Sequence, residues 1–143
     1  VAESCTGGLI AKRLTDLPGA SQVLAGGVVA YADEVKVGVL GVSPDALSTH
    51  GAVSGPVAEA MAAGAALALG AEAGIGVTGV AGPDGGSDEK PVGTVWYAVC
   101  LDGRVVVRGE RFPGDREAVR ERAAQAALFL LLRALEARLG PEP

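Results

Sequence analysis

The run Gly74-Ile75-Gly76-Val77-Thr78-Gly79-Val80 decides the architecture. Its spacing matches G-x-G-x-x-G, the turn that carries a dinucleotide pyrophosphate, but that motif has to follow a strand and open a helix. Here the run passes instead into Ala81 to Pro91, dense in Gly, Pro and Asp, so it reads as a central strand followed by a loop. Downstream, Thr94 to Leu101 and Val105 to Phe112 are strand-like stretches separated by Asp102-Gly103, the signature of an antiparallel hairpin. Upstream, Val1 to Glu3 reads as the end of a buried strand and Val23 to Tyr31 as a second strand. Between them lies the helix-like stretch Leu9 to Leu17, stopped by Pro18 and Gly19.

Asp33, as an N-cap, starts a short helix with Lys36 in its first turn. Ser54 and Pro56 open another that closes at Gly70, and its single charge, Glu59, implies burial on more than one side. Asp115 caps a final helix reaching about Leu139, with Arg116, Arg120 and Arg122 early and an Ala/Leu/Phe-rich second half that implies burial or a homo-oligomer contact. Helices alternating with strands ahead of a hairpin predict a three-layer α/β/α domain with a mixed sheet, residues 1–143 forming one domain. Ligands of such sheets gather at the carboxyl ends of strands.

Composition narrows the function. The chain has 143 residues, 49% apolar and 20% charged, with 22 glycines, which is globular and large enough to fold without disulfides or structural metal. A net charge of -5 and no basic run argue against a nucleic-acid surface and for a small-molecule ligand. Cys5 and Cys100 have no metal-ligand or secretory spacing, which points to a reduced, cytoplasmic compartment. The longest apolar run, Ala126 to Leu132, is too short to span a membrane. Val1 is not an initiator Met, and the chain reads as a fragment.

Several motifs fall away. Ser87-Asp88-Glu89-Lys90 fits S-x-x-K but sits in a polar loop without companion motifs, and His50, the only histidine, follows Thr49 in an expected turn with no second ligand. What remains is Ser4 at a strand-to-helix junction, with Gly7 and Gly8 behind it allowing backbone amides to converge on an anion. Taken singly, Ser4 reads as an ordinary N-cap. A serine nucleophile needs a base, and without a usable histidine the candidates are a neutral lysine or a relaying tyrosine. Lys36, at the positive end of a helix dipole and desolvated, would favour the neutral amine, and Tyr31 closes the preceding strand. Thr78 and the loop Gly79 to Gly86 offer a hydroxyl and unhindered amides to a phosphate or a carbonyl, and Arg116 and Arg120, four apart on one helix face, form a candidate phosphate clamp.

Together, Ala2-Glu3-Ser4-Cys5-Thr6-Gly7-Gly8, the segment Tyr31 to Lys36 and Gly76-Val77-Thr78-Gly79-Val80-Ala81-Gly82-Pro83 resemble the C-terminal domain of the CinA family, the competence/damage-inducible proteins. The similarity continues through Pro91-Val92-Gly93-Thr94-Val95 and Phe112-Pro113-Gly114-Asp115-Arg116. The resemblance implies a nicotinamide-nucleotide amidase, converting nicotinamide mononucleotide and water to nicotinic acid mononucleotide and ammonia without metal or cofactor. By matching position it implies Ser4 as nucleophile, Lys36 as proton acceptor, Tyr31 as a relay or orienting group and Thr78 as stabiliser of the carboxamide. The nucleotide is expected among Cys5, Thr6, Gly7, Gly8, Gly79, Gly82, Arg116 and Arg120. The resemblance also implies a helix ahead of the first strand, absent from this chain, and in many relatives a fused N-terminal nucleotide-processing domain. The alternative is a non-catalytic nucleotide-binding or oligomerisation module built on the same glycine loops and the final helix.

Overall fold

In the computed structural model, which describes residues 1–140, five strands form one mixed sheet. The elements in chain order are β1 (Ala2–Glu3), α1 (Leu9–Thr15), β2 (Val28–Val29), α2 (Asp33–Leu40), α3 (Pro44–His50), α4 (Gly55–Ala68), β3 (Ala73–Gly79), β4 (Thr94–Leu101), β5 (Arg104–Arg111) and α5 (Arg116–Leu139). The strand order is β2-β1-β3-β4-β5, with β1 parallel to both β2 and β3, and with β4 and β5 antiparallel additions. The short strand β1 is thus paired on both sides, Ala2 against Val28 and Gly76, Glu3 against Val29 and Val77.

The period-two alternation of β3 sets the layers. Ile75 and Val77 face one side, where they pack with Val95, Val99, Ile10 of α1 and Val119, Ala123 and Ala127 of α5. Burial of each such valine or isoleucine contributes about 1.5–3 kcal/mol. Gly74 and Gly76 face the other side, where α4 lies against them so closely that a Cβ on Gly76 would stand 2.4 Å from the Ala58 carbonyl oxygen. The glycines of this run are packing residues: they let the alanine-rich α4 lay its backbone on the sheet. In turn α4 holds α2, because a Cβ on Gly64 would stand 2.0 Å from the Leu40 carbonyl oxygen. These two sides and the sheet between them make the expected three-layer α/β/α architecture.

The differences from the sequence reading are local. The strand expected over Val23 to Tyr31 shrinks to Val28–Val29, because Ala20–Gln22 forms a 3-10 turn and only two residues reach the β1 ladder. Asp33 is not the cap of α2; Ala32 occupies that position without a side-chain bond, and Asp33 stands in the first turn. An additional helix, α3, is capped by Ser43, whose hydroxyl accepts from the Asp45 amide at 3.2 Å, with Pro44 at its first position, and His50 is its last residue. The hairpin turn falls on Asp102 and Gly103, both at positive φ as a two-residue loop requires. On α5, Val119, Ala123, Ala124 and Ala127 are buried, while Phe129 and Leu132 are exposed. Among the described residues no helix is long and apolar enough to cross a membrane; the last three residues of the span expected as one domain lie outside the described residues.

A single methyl group distinguishes the two kinds of glycine. Gly76→Ala is expected to lower unfolding free energy by about 3 kcal/mol in a urea titration, the upper end of ordinary overpacking. Gly38, exposed in α2 with nothing within 4 Å of its Cβ position, is expected to gain about 0.5–1 kcal/mol on substitution by Ala.

Candidate active site

The three parallel strands end side by side, and the polar residues gather there. Ser4 follows β1, Tyr31 follows β2 and Thr78 lies near the end of β3. The chain leaves β1 through α1 on one face of the sheet and leaves β2 through α2, α3 and α4 towards β3 on the other, so β1 sits where strand order reverses. An open cavity of about 310 Å³ at this point is lined by Ser4, Tyr31, Lys36, Thr78 and Arg116. Cys5, Asp33, Gly79, Gly82 and Asp84 complete its polar and small-residue wall. A larger depression of about 550 Å³ between β5 and α5 is walled by Val99, Leu101, Val106 and Ala134. It contains none of the buried polar side chains, which makes it the poorer candidate for chemistry.

The serine turn is fixed largely by main-chain groups. The Ser4 amide donates to Val77 O at 2.9 Å, Gly7 N donates to Ser4 O at 3.1 Å, and Leu9 N donates to Thr6 O at 3.1 Å. Gly7 and Gly8 carry φ values of 60° and 103°, a path that glycine follows without strain. The anion expected at the start of α1 is supplied by the protein itself. Glu3, 1% exposed, accepts from Ile10 N through Oε1 at 2.8 Å and from Ala11 N through Oε2 at 3.0 Å. The sequence signal for it is a charged residue, Glu3, at the end of a stretch that reads as a buried strand, directly ahead of the turn into α1. Thr6, Gly7 and Gly8 therefore lie outside the cavity lining, and the buried Thr6 hydroxyl has no hydrogen-bond partner among the described residues.

The remaining side chains divide by what they already hold. Lys36 is almost wholly buried, and its Nζ donates to the Tyr31 carbonyl oxygen at 3.2 Å and faces Asp33 Oδ1 at 3.4 Å. The Tyr31 phenol does not meet the lysine: it accepts from Arg116 Nη2 at 3.1 Å, while Arg116 Nη1 donates to Gly82 O at 2.8 Å. Arg116 thus straps one wall of the cavity to the other and retains three further N–H donors. Arg120 turns away from the cavity, its Nε and Nη2 donating to the carbonyls of Cys5 and Thr6, each at 3.1 Å. The two arginines are not a common clamp, because their guanidinium groups serve different loops. Thr78 gives its hydroxyl proton to Ala52 O at 2.8 Å, which leaves its lone pairs for the cavity. Among the described residues no three His, Cys, Asp or Glu side chains gather closely enough to hold a metal ion.

A mixed sheet covered by helices on both faces, with a polar cleft beyond the ends of its parallel strands that holds a serine turn and a buried lysine, defines an α/β domain. The chain belongs to the CinA C-terminal domain family, whose model matches residues 1–135. It is 54% identical over 142 residues to a CinA-like protein of Gemmatimonas aurantiaca, covering 99% of this chain and 33% of that protein. With a CinA-like protein of Mycobacterium tuberculosis it shares 56% over 135 residues, 94% of this chain and 31% of that one. The chain therefore spans about a third of the length of these curated relatives. Among solved structures, a competence/damage inducible protein from Agrobacterium tumefaciens superposes with a TM-score of 0.92 at 42% identity, over 94% of this chain and 83% of that one. A competence-damaged protein (CinA) superfamily protein from Escherichia coli gives 0.89 at 39%, over 93% and 77%.

Burial pushes the Cys5 thiol up to about 11, opposed by the nearby Arg120 and assisted by Glu3. The folded chain then keeps this proton at alkaline pH while the unfolded chain, near the ordinary value of 9.0, loses it. Between about pH 9 and 11 the unfolded state binds fewer protons, so Cys5 alone should reduce stability by about 1.4 kcal/mol per pH unit. Urea titrations across that range should show a shallower pH slope for Cys5→Ala than for the natural chain, and identical slopes would refute the assignment.

Proposed function

We propose that this domain hydrolyses the carboxamide of nicotinamide mononucleotide, giving nicotinic acid mononucleotide and ammonia. The observation that carries the reading is the lining of one cavity by Ser4, Tyr31, Lys36, Thr78 and Arg116, drawn from three strand ends and two helices. Membership of the CinA family supports it, and a cavity of about 310 Å³ is of the order that a small ligand fills.

The chemistry follows from what each group has free. Ser4 Oγ attacks the carboxamide carbon as its proton passes to Lys36 Nζ. The amide N–H of Cys5, the residue after the nucleophile, has no backbone carbonyl partner among the described residues and is the natural donor to the developing oxyanion. Thr78, its proton already given to Ala52, accepts from the carboxamide NH2 and orients it, rather than donating to the carbonyl. Lys36 returns the proton to the leaving nitrogen as the C–N bond breaks and ammonia departs. Water then attacks the Ser4 ester, losing a proton to Lys36 that is passed back to Ser4, and the carboxylate is released. Arg116 keeps donors for the substrate phosphate, and Tyr31, held by it, forms the adjoining wall.

Purified protein given nicotinamide mononucleotide is expected to release ammonia, and Ser4→Ala or Lys36→Met to slow this about 10³-fold or more. Thr78→Val should lower kcat/KM about 10-fold to 100-fold, whereas Thr78→Ser keeps the acceptor and most of the activity. An unchanged rate in Ser4→Ala removes the serine from the mechanism. Tight nucleotide binding by calorimetry with no turnover in the natural chain replaces the amidase with a non-catalytic binding module.

A further inference from the structure

The Ser4 turn carries the nucleophile of the proposed reaction, yet it belongs to no helix or strand, and the buried side-chain hydroxyl of Thr6 within it has no hydrogen-bond partner among the described residues. Two charged side chains outside the cavity lining meet its ends instead. From the β1 side, the buried Glu3 carboxylate takes the amides of Ile10 and Ala11 and so fixes where α1 begins. It forms no ion pair among the described residues; its charge is met by amide donors and by the positive end of the helix. A buried carboxylate held this way is a costly means of capping a helix, since a serine or threonine satisfies an N-terminal amide without burying charge. What a carboxylate adds is a rigid plane bound at both oxygens, which fixes the strand and the helix on either side of Ser4 relative to one another.

Arg120 acts on the opposite polarity of the same turn. Its fork donates to two successive carbonyls, Cys5 O and Thr6 O, and a Cβ on Gly7 would stand 3.3 Å from Nη2, so the guanidinium lies closely on the turn. The carboxylate accepts from N–H groups beyond the turn and the guanidinium donates to C=O groups within it. We infer that Glu3 and Arg120 are positioning residues, a pair of opposite charges that brackets the serine turn and holds Ser4 Oγ towards Lys36. The inference rests on the proposed role of Ser4, and it reassigns Arg120 from the substrate phosphate to the main chain.

Cys5, inside the bracket, is a local reporter that does not depend on turnover. Burial is the main cause that pushes its thiol up to about 11, with Arg120 lowering it and Glu3 raising it, so loss of the one and loss of the other should move its titration in opposite directions. The titration is followed by the Cys5 Cβ resonance in protein labelled with ¹³C-cysteine, in a Cys100→Ala background, alongside steady-state kinetics on nicotinamide mononucleotide and a urea midpoint as a check of folding. Glu3→Gln is expected to bring the thiol down and Arg120→Met to raise it. Both should cut kcat about 10-fold to 100-fold with KM within about threefold, as expected for a nucleophile displaced by a fraction of an ångström. Arg120→Lys, which restores the charge and one donor, should recover part of the lost kcat. A thiol titration unmoved in the folded variants, or an Arg120→Met whose KM rises while kcat holds, overturns the bracket, the second result returning Arg120 to the substrate. If Glu3→Gln does not fold, the two Arg120 variants decide. Absence of ammonia release by the natural chain would instead overturn the proposed reaction, and the thiol shifts would still report whether the bracket exists.

Discussion

The contact between the glycine face of β3 and the backbone of α4 is the constraint on which the rest of the molecule depends. With no Cβ on Gly74 or Gly76, the helix comes down until its carbonyls nearly touch the strand, and no larger residue is compatible with that approach. The consequence runs outward in steps. A close α4 brings the Ala52 carbonyl, just ahead of its cap, within hydrogen-bond reach of Thr78, and it offers Gly64 as a seat for the carbonyl end of α2. Helix α2 carries Lys36, so the depth at which the amine is buried is set by glycines some forty residues away in sequence. The same run that imitates a dinucleotide fingerprint is therefore what puts a lysine under the cavity.

Burial of two ionisable side chains in so small a core is the second organising fact. Lys36 and Glu3 stand on either side of β1, one among the polar ends of the cavity and the other beneath α1, and neither is paired with the other. Each is satisfied mainly by main-chain groups: the lysine by the Tyr31 carbonyl, with Asp33 at longer range, and the carboxylate by two helix amides. Main-chain partners belong to rigid elements, so the positions of these groups are as well determined as the sheet itself. An exposed ion pair, such as Lys12 with Asp16 on α1, has no comparable consequence.

The layers and the hairpin were legible because they rest on local signals: the glycine-bounded apolar run of β3, the strand-like stretches of β4 and β5, the Asp102-Gly103 turn, and the Ser54 and Asp115 caps, each of which bonds the amide three residues on. Convergence of Ser4, Tyr31, Lys36 and Thr78 on one cavity was legible too, since Ser4, Tyr31 and Thr78 each follow or end a strand and Lys36 stands in the helix that follows Tyr31. The sequence did not disclose what the polar groups hold. The Tyr31 phenol faces Arg116 and only its carbonyl faces Lys36, and Arg120 grips main chain, because these pairings are set by the docking of α5 across the sheet. The strand expected before Tyr31 was overdrawn for a related reason: Val23 has strand-like chemistry but is exposed, and nothing pairs with it there.

Glu3 alters how anion recognition has to work in this fold. In many α/β proteins the first helix after the first strand lends its unbonded amides to a ligand phosphate. Here two of those amides are taken by an internal carboxylate, and an external phosphate approaching them would also meet its negative charge in a poorly screened interior. The helix end is thus committed to the Ser4 turn, and under the proposed reaction a substrate anion is met by side chains on the far wall. Arg116 is the one arginine in that wall, and it already ties Tyr31 to Gly82. Under the proposed reaction, a phosphate engaging its remaining donors would reinforce the same strap that defines the cavity, so that binding the charged end of the substrate and shaping the pocket for its carboxamide fall to a single guanidinium.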